Sequence, residues 1–286
     1  MTSKYGDLDR PPLNVDVLRR ALVVPGSMWT AIDLVESSPS TNGDLTRRAA
    51  ESPDPDEDGV VLIAEHQTAG RGRLDRTWTS PPRSGLAMSV LVRPGLHETV
   101  PAARWPWLPL LSGLAVAAAL RKDAGVEAGL KWPNDVLVGD RKVAGLLVER
   151  VERVDAGRGG AAAVIGIGLN VSLRPDELPV PSATSLAIEN ATTTDRSLLI
   201  RGVLRVLAAL LKDWYAHRGD ASAGLHTAYV DACTTLGRQV RLDRPDGGHE
   251  SGEAVGVDET GRLLVRTPRG QVAFGAGDVV HLRTET

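Results

Sequence analysis

A loop rich in arginine and glycine is the strongest chemical feature of the chain. Residues 70–78 read Gly-Arg-Gly-Arg-Leu-Asp-Arg-Thr-Trp. Glycine lets a backbone approach a ligand closely, and guanidinium groups present planar sets of donors that suit carboxylates and phosphates. A solvated basic loop is the alternative, but glycines raise the entropic cost of ordering a simple connector. The segment therefore predicts contact with a polyanionic ligand.

A second polar cluster, Lys-Trp-Pro-Asn-Asp, occupies residues 131–135. Proline stops regular strand pairing and exposes the side chains beside it, so we expect this cluster at the end of a strand. Lys131 is a point charge that can meet carboxylate and phosphate oxygens. Asp135 is expected to form a salt bridge with Lys131 or with an arginine, or else to pair with a cation. Asn134 fits a turn former and a ligand contact equally well.

Ser-Thr-Asn at residues 40–42 precedes a predicted polar helix that runs to about Ala50. Ser40 or Thr41 could simply cap this helix. A helix N-terminus also presents free backbone N–H groups beside these hydroxyl and amide side chains, an arrangement that suits a polar head group. Both interpretations place the three side chains at the surface end of a helix.

Gly-Ile-Gly-Leu-Asn at residues 166–170 only partly matches a dinucleotide-binding loop. The third glycine of that fingerprint is missing and no helix is predicted to follow. Glycines within a strand indicate instead a ligand that lies close against the backbone. Asn170 offers both a donor and an acceptor, which complements the edge of an adenine.

Hydrophobic periodicity predicts the elements that must position these motifs. Helices are expected over 15–23, 104–124 and 198–214. Strands are expected over 29–36, 59–65, 86–93, 136–138, 143–154 and 161–171, with a hairpin turn at 139–142. The fold class is therefore α+β, with a mixed β-sheet packed against helices.

The pattern changes from Leu236 onward. Short strands over 239–242, 253–257, 263–267 and 271–274 are separated by glycine-containing turns, which is typical of a small SH3-like β-barrel. We predict an N-terminal extension with a short helix over 1–28, a main domain over 29–233 and the C-terminal barrel over 234–286.

Composition excludes several classes of protein. The net charge is −3, so the basic footprint of a nucleic-acid-binding protein is missing. The single cysteine, Cys233, cannot form an internal disulfide, which fits a reducing cytoplasm. The most apolar stretch, 105–120, contains two prolines and is shorter than the ~20 residues of a membrane span. The N-terminus does not resemble a signal peptide. We therefore predict a cytoplasmic protein without membrane contact.

The histidines give no sign of a metal centre or of covalent catalysis. Zinc sites and catalytic triads need histidines at defined positions relative to other ligands or nucleophiles. Here they are scattered, at His66, His97, His217, His226, His249 and His281. Most are expected at the surface.

Taken in order, these segments resemble the biotin protein ligases. The matching motifs are Ser-Thr-Asn at 40–42, Glu-His-Gln-Thr-Ala-Gly-Arg-Gly-Arg at 65–73, Lys-Trp-Pro-Asn-Asp at 131–135, Arg-Lys-Val-Ala-Gly at 141–145 and Gly-Ile-Gly-Leu-Asn at 166–170. The resemblance covers 29–211 and the C-terminal barrel. It implies the biotin/lipoate ligase fold, with 29–233 as the catalytic domain.

The resemblance implies a reaction in two steps. The carboxylate of biotin attacks the α-phosphate of ATP, which gives biotinyl-5′-AMP and pyrophosphate. A lysine of a biotin carboxyl carrier domain of an acyl-CoA carboxylase then attacks the mixed anhydride. Mg²⁺ is expected with ATP, although its ligands are not identified by the motifs. The enzyme would be a monomer or a homodimer.

The resemblance also assigns roles to individual residues. Lys131 and Arg73 would be catalytic, with Lys131 between the biotin carboxylate and the α-phosphate. Biotin would contact Ser40, Thr41, Asn42, Gln67, Gly70, Arg71, Gly72, Arg73, Lys131, Gly145, Gly166, Ile167 and Gly168. ATP and the adenylate would contact Arg73, Arg76, Trp78, Lys131, Asn134, Lys142 and Asn170. Closure of the arginine loop would exclude water from the anhydride.

Asp75 departs from the family pattern, because it stands where the loop usually has a glycine. The substitution adds a negative charge and removes backbone freedom. We expect Asp75 to pair with Arg73 or Arg76 in the empty loop, or to alter loop closure.

Two other functions fit parts of the sequence. Some family members repress transcription through an N-terminal winged helix-turn-helix, but only about 28 residues precede the first predicted core strand, too few for a three-helix module. We therefore expect a monofunctional enzyme that does not bind DNA. The other alternative is a lipoate ligase or octanoyl transferase of the same fold, which also modifies a carrier lysine. The complete arginine loop favours biotin.

Overall fold

The structure is a computed structural model that describes residues 9–51, 58–74, 76–96, 100–152, 161–243, 247–275 and 277–282. The expectations for Asp75 and His97 therefore lie outside the described residues. The α-helices are α1 (Val15–Leu22), α2 (Thr41–Glu51), α3 (Trp107–Ala124), α4 (Arg196–Ala216) and α5 (Leu225–Ala232). No helix among these residues is long and apolar enough to cross a membrane.

The strands form two separate sheets. They are β1 (Ala31–Ser38), β2 (Val60–Gln67), β3 (Gly85–Val92), β4 (Ala128–Lys131), β5 (Asp135–Val138), β6 (Arg141–Val151), β7 (Ala162–Asn170), β8 (Gln239–Asp243), β9 (His249–Val257), β10 (Leu263–Thr267), β11 (Gly270–Phe274) and β12 (Asp278–His281). The first seven form a main sheet and the last five a C-terminal sheet.

The main sheet is mixed, as predicted, with the strand order β1-β2-β3-β7-β6-β5-β4. β1 and β2 run parallel, and the other neighbouring strands run antiparallel. β6 and β7 lie at the centre, so the glycines of the motif at 166–170 are in the middle of the sheet rather than at its edge. The hairpin between β5 and β6 turns at Gly139 and Asp140, which is tighter than the predicted turn.

Helices cover both faces of the main sheet. Side chains of a strand alternate between the two faces, so each face carries apolar residues that pack against a helix. On one face, Val61 and Ile63 of β2 pack into the large core beneath α3 and α4. On the other face, Val60 and Leu62 pack against Leu45 of α2. Helix α2 thus lies on the opposite side of the sheet from α3, and its N-terminus holds the Ser-Thr-Asn motif.

Helix α3 is the central helix of the large core. It is rich in leucine and alanine and most of its residues are buried. The helix ends at Gly125, whose φ of 64° is readily adopted by glycine and closes the last turn. Pro109 lies in the first turn, where a missing N–H costs no helical hydrogen bond. The predicted start at residue 104 is three residues early, since 102–104 form a separate 3₁₀ turn.

The C-terminal sheet is antiparallel, with the strand order β11-β10-β9-β8-β12. This confirms the predicted small C-terminal β unit, although β12 and α5 were not predicted. The Lys-Trp-Pro-Asn-Asp segment contacts this unit directly. The backbone N–H of Trp132 donates to Oγ1 of Thr235 at 3.1 Å, and its indole N–H donates to the carbonyl of Gly261 at 3.0 Å. The loops of the C-terminal unit therefore hold Trp132, the residue next to Lys131.

A buried ion pair attaches the N-terminal segment to the main sheet. Glu65, near the end of β2, accepts from Arg196 at 2.5 Å and from the backbone N–H of Leu13 at 2.6 Å. Arg196 also donates to the carbonyl of Pro11 at 2.6 Å. Both charged groups are buried, and these hydrogen bonds offset the cost of removing them from water. The arrangement holds the end of β2, and with it Gln67, in place.

Candidate active site

A cleft of about 1460 Å³ lies between the main sheet and the C-terminal sheet. The arginine loop forms one side of it, and β6 and β7 form its floor. The structure brings the five predicted motifs together here. The predicted site residues that line the cleft are Ser40, Thr41, Asn42, Gln67, Arg71, Gly72, Arg73, Arg76, Trp78, Lys131, Asn134, Lys142, Gly145, Gly166, Ile167, Gly168 and Asn170.

The arginine loop is a short hairpin that closes on itself. The N–H of Trp78 donates to the carbonyl of Gly70 at 2.8 Å, and the N–H of Gly72 donates to the carbonyl of Arg76 at 2.7 Å. Gly70 lies at the base of the loop, where an added Cβ would come within 2.3 Å of the carbonyl oxygen of Trp78. Gly70 was predicted as a site residue but does not line the cleft. Because it has no side chain, the two arms of the loop can pack against each other at this position.

A chain of hydrogen bonds occupies one end of the cleft, which we call the neutral end. The hydroxyls of Thr41 and Ser89 are 2.7 Å apart, and the Ser89 hydroxyl donates to Oδ1 of Asn42 at 2.6 Å. The Asn42 amide donates to Glu149 at 2.8 Å. Oε1 of Gln67 accepts from the backbone N–H of Thr41 at 2.8 Å. This network fixes the orientation of four polar side chains without any net charge on them.

The hydroxyl of Ser40 has the capping role that the sequence suggested. It accepts from the backbone N–H of Gly43 at 3.3 Å, so it bonds an amide that the first turn of α2 leaves free. Ser40 also lines the cleft. Ser40 therefore caps the helix and lines the cleft at the same time.

Glycines of β6 and β7 make room on the floor of the cleft. A Cβ at Gly166 would lie 2.3 Å from Oδ1 of Asn42, and one at Gly168 would lie 2.5 Å from the ring of Trp78. Trp78 thus packs directly on the backbone at Gly168, and its ring also approaches Gly145. The close approach that the glycines were predicted to allow is therefore made by two side chains of the protein itself, those of Asn42 and Trp78.

Positive charge gathers at the opposite end of the cleft, which we call the charged end. Arg73 donates to Oδ1 of Asn134 at 3.0 Å and to the carbonyl of Gly277 at 3.2 Å, and burial lowers the pKa of its guanidinium. Arg76 forms a two-pronged ion pair with Asp278 of β12. Lys131 lines the same region. These three cations all act on the carboxylate of Asp278, and the carboxylate of Asp135 also acts on Arg73 and Arg76.

Asp278 and His281 respond to these cations. Burial alone would raise the pKa of Asp278, but its hydrogen bond with Arg76 and the charges of Arg76, Lys131 and Arg73 lower it. Burial lowers the pKa of His281 to about 4, and the charges of Lys131 and Arg238 add to the effect. At neutral pH the charged end thus holds a carboxylate and an uncharged imidazole.

Asp135 has a different partner from the one expected. It pairs with Lys142 at 2.6 Å rather than with Lys131 or an arginine. The register of the sheet explains this, because Asp135 lies opposite Gly145 on β6, and the amine of Lys142 lies 3.0 Å from where a Cβ of Gly145 would be. Because Gly145 has no side chain, the side chain of Lys142 can reach the carboxylate of Asp135. Its amine also lies 5.6 Å from the centre of the Trp78 ring, within cation–π range.

Two asparagines have protein partners. The amide nitrogen of Asn134 donates to the carbonyl of Leu146 at 2.9 Å, so Asn134 both shapes the turn and contacts Arg73. Asn170 is buried, and its amide nitrogen donates to the carbonyl of Thr184 at 2.9 Å. This bond fixes the orientation of the Asn170 side chain.

Sequence reasoning missed several polar residues in and around the cleft, among them Ser89, Glu149, Arg238, Asp278 and His281. Ser89 is a buried hydroxyl in an otherwise apolar strand, and that exception was the available signal. Glu149 carries a charge near the end of β6. Asp278 and His281 lie on β12, a strand of four residues that the pattern did not reveal.

Comparison with known proteins agrees with this geometry. Residues 35–170 match the model of the biotin/lipoate A/B protein ligase family, and residues 235–282 match the biotin protein ligase C-terminal domain. A biotin–[acetyl-CoA-carboxylase] ligase of Mycobacterium tuberculosis is 42% identical over 96% of this chain and 97% of its own length. The bifunctional ligase/repressor BirA of Bacillus subtilis is 31% identical over 86% of this chain and 72% of its own length.

A solved structure shares the fold. The biotin protein ligase from Aquifex aeolicus, in complex with biotin and ATP, superposes with a TM-score of 0.69 at 28% identity, covering 90% of this chain and 100% of that chain. Relatives of this identity and coverage, together with the two family models, confirm the resemblance that the five motifs predicted. The chain belongs to the biotin protein ligases, within the biotin/lipoate A/B protein ligase family.

Proposed function

We propose that the chain joins biotin to ATP as biotinyl-5′-AMP and transfers the biotin to a specific lysine of a biotin carboxyl carrier domain. The observation that carries this proposal is the juxtaposition of a neutral, hydrogen-bonded pocket and a cluster of three cations beside one loop. Biotin has an uncharged head group at one end and a carboxylate at the other, so its two ends match the two ends of the cleft. The Aquifex aeolicus relative, solved with biotin and ATP, supports both substrates.

At the neutral end, the head group of biotin would lie among Ser40, Thr41, Asn42 and Gln67. These side chains are already oriented by hydrogen bonds to one another or to neighbouring groups of the protein, which reduces the entropic cost of binding. Gly166, Ile167, Gly168 and Gly145 would form the floor, and Gly70, Arg71 and Gly72 would supply the loop that covers it.

At the charged end, two anions must react with each other. An oxygen of the biotin carboxylate attacks the α-phosphorus of ATP, the bond to the β-phosphate breaks, and pyrophosphate leaves. Lys131 would lie between the carboxylate and the α-phosphate, and Arg73 would face the same centre, so that their charges offset the repulsion and stabilise the crowded phosphoryl group. The adenylate would be held by Arg76, Trp78, Asn134, Lys142 and Asn170.

Mg²⁺ is proposed to enter with ATP. In phosphoryl transfer the ion neutralises charge on the phosphates and on the leaving pyrophosphate. No group of three histidine, cysteine or acidic residues that could hold a metal occurs among the described residues. Mg²⁺ commonly binds through substrate phosphates and retained waters, so we propose that the nucleotide supplies most of its ligands.

The second step needs a protein partner, which we propose to be the carrier domain of an acyl-CoA carboxylase. Its lysine amine attacks the carbonyl of the mixed anhydride, an amide bond forms, and AMP leaves. We further propose a cytoplasmic monomer or homodimer that does not bind DNA or membranes, with a catalytic domain over 29–233 and an SH3-like C-terminal domain.

An exchange assay tests the proposed chemistry. The purified protein, given ATP, Mg²⁺ and labelled pyrophosphate, should return label to ATP only when biotin is present. Lipoate in place of biotin tests the alternative function, and equal exchange with both acids would contradict the assignment. Transfer is then measured by the gain of biotin on a purified apo carrier domain, with a carrier whose acceptor lysine is replaced by arginine as the control.

A further inference from the structure

The arginine loop is attached to both sheets of the molecule. On one arm, Arg71 pairs with Glu149 of the main sheet at 3.1 Å. On the other arm, Arg76 pairs with Asp278 of the C-terminal sheet through both of its terminal nitrogens. Between them, Arg73 donates to the carbonyl of Gly277, the residue just before β12. The start of β12 therefore contacts two of the three loop arginines.

Asp278 is well placed to act on the loop as a whole. Its side chain is 29% exposed, and Arg76, Arg73 and Lys131 all lower its pKa despite its partial burial. A carboxylate that accepts two parallel hydrogen bonds from one guanidinium fixes the plane of that group as well as its position. The same carboxylate thus constrains the arm of the loop that enters the charged end.

We propose that Asp278 is a positioning residue for the ligase reaction, which holds the arginine loop in register with Lys131 so that the charged end is assembled before ATP binds. The proposal rests on the proposed function, because it assigns Arg73, Arg76 and Lys131 to the nucleotide. It makes the C-terminal sheet part of the nucleotide site through a contact to the loop.

The exposure of the Arg76–Asp278 ion pair determines how much its removal should change stability and activity. An ion pair as exposed as this one stabilises a fold very little, so its removal should leave the melting temperature nearly unchanged. Its loss would instead let the loop sample positions in which the arginines face solvent. We expect Asp278→Asn to raise the KM for ATP about three- to five-fold and to speed the loss of bound adenylate by a similar factor.

Kinetics of matched variants test the proposal. Asp278→Asn is compared with Glu253→Gln, because Glu253 forms an ion pair with Arg266 in the same sheet, at 2.9 Å and with similar exposure. In the exchange assay we expect a higher KM for ATP and an unchanged KM for biotin in Asp278→Asn only. The swap R76D/D278R should recover part of what R76D alone loses. An unchanged KM for ATP in Asp278→Asn would overturn the proposal.

Limited proteolysis tests the contact without relying on activity. Trypsin cleaves after arginine and needs the guanidinium free, so the Arg76–Asp278 pair should protect the loop. We expect cleavage at Arg76 to be several-fold faster in Asp278→Asn than in the native chain, and unchanged in Glu253→Gln. If the native chain shows no exchange activity, the proposed function fails, while this assay still decides the contact. Equal cleavage rates in all three proteins would show that Asp278 does not hold the loop.

Discussion

The two ends of the cleft are built in different ways. At the neutral end, Thr41, Asn42 and Ser89 are at most 4% exposed and bond to one another. At the charged end, the side chain of Arg76 is 62% exposed and is held by a carboxylate from the other sheet. The hydrogen-bond network of the neutral end thus lies within the main sheet and α2, with the loop added only through Arg71 and Glu149, whereas the charged end also depends on the C-terminal sheet.

This difference follows from the cost of burying polar groups. Neutral donors and acceptors can be buried when each finds a partner, so the site for an uncharged head group can be finished in advance. Cations are much more costly to remove from water. A site for phosphates is therefore better left partly hydrated, with its charges on groups that a ligand can draw in. Substitutions at the two ends are therefore expected to change different properties of the enzyme.

Replacing Lys131 with alanine should have the largest effect. If Lys131 offsets the charge of the reacting carboxylate and phosphate, its loss removes the main electrostatic contact of the first step. Loss of one such group commonly costs about 10²- to 10³-fold in rate. We expect exchange activity to fall by at least that factor, with the circular dichroism spectrum and melting temperature retained.

Lys122→Ala provides the control for Lys131→Ala, because Lys122 is exposed in the last turn of α3. Its exchange activity should match that of the native chain. Near-normal exchange in Lys131→Ala would remove Lys131 from the reacting centre and leave Arg73 as the remaining candidate there.

Two glycines of β7 allow each end to be disturbed separately. A Cβ at Gly166 would collide with Asn42, and one at Gly168 would collide with Trp78. Inserting a methyl group into packed space typically costs about 1–3 kcal/mol, which corresponds to about 5- to 150-fold in binding. Gly166→Ala should therefore raise mainly the KM for biotin. Gly168 also belongs to the floor of the neutral end, but its Cβ would displace Trp78, so Gly168→Ala should raise the KM for ATP more than the KM for biotin.

Each glycine variant serves as the control for the other, since they are two residues apart on one strand and share the same fold environment. Equal effects of both variants on both substrates would mean that the cleft responds as a single unit. That result would contradict the division into two ends, whichever residues bind each substrate.

Local signals explain what the sequence made predictable. Strand and helix types follow from periodicity, and the five motifs follow from residues with restricted or unusual chemistry, such as the glycines of 166–168 and the arginines of 70–78. Helix α5 has eight residues, like α1, but lacks the strong amphipathic pattern that marks α1, and β12 is a strand of four residues with no hairpin turn signal like the one that marks β5. Thr41, Asn42 and Gln67 of the neutral end could be predicted because they belong to motifs, whereas their partners Ser89 and Glu149 belong to none.

The charged end depended on contacts between distant parts of the chain. Asp278 and Arg76 are 202 positions apart, and nothing local to either residue marks the other. The partner of Asp135 was wrongly predicted for a related reason. It depends on the register of β5 against β6, which includes an irregularity between Val136 and Leu137, and no local pattern reports a register of that kind.

The smallest effect on activity at neutral pH is expected for His281, which acts on stability at acidic pH. The pKa of His281 is about 4 in the folded chain, below its ordinary value of 6.5, because of burial and the charges of Lys131 and Arg238. The folded state thus disfavours a proton that the unfolded chain accepts. The resulting stability is complete above the unfolded pKa and is lost as pH falls from about 6.5 towards 4.

Urea denaturation at several pH values measures this loss. In His281→Gln the side chain no longer titrates, so the decline in unfolding free energy between pH about 6.5 and about 4 should become shallower than in the native chain. Exposed His249 provides the control, and His249→Gln should keep the native slope. If His281→Gln also keeps the native slope, then neither burial nor the cations around His281 lower its pKa in the folded chain. The charged end would in that case be more hydrated and less positive than the structure implies, and the contrast with the neutral end would rest on the hydrogen-bond network of the neutral end alone.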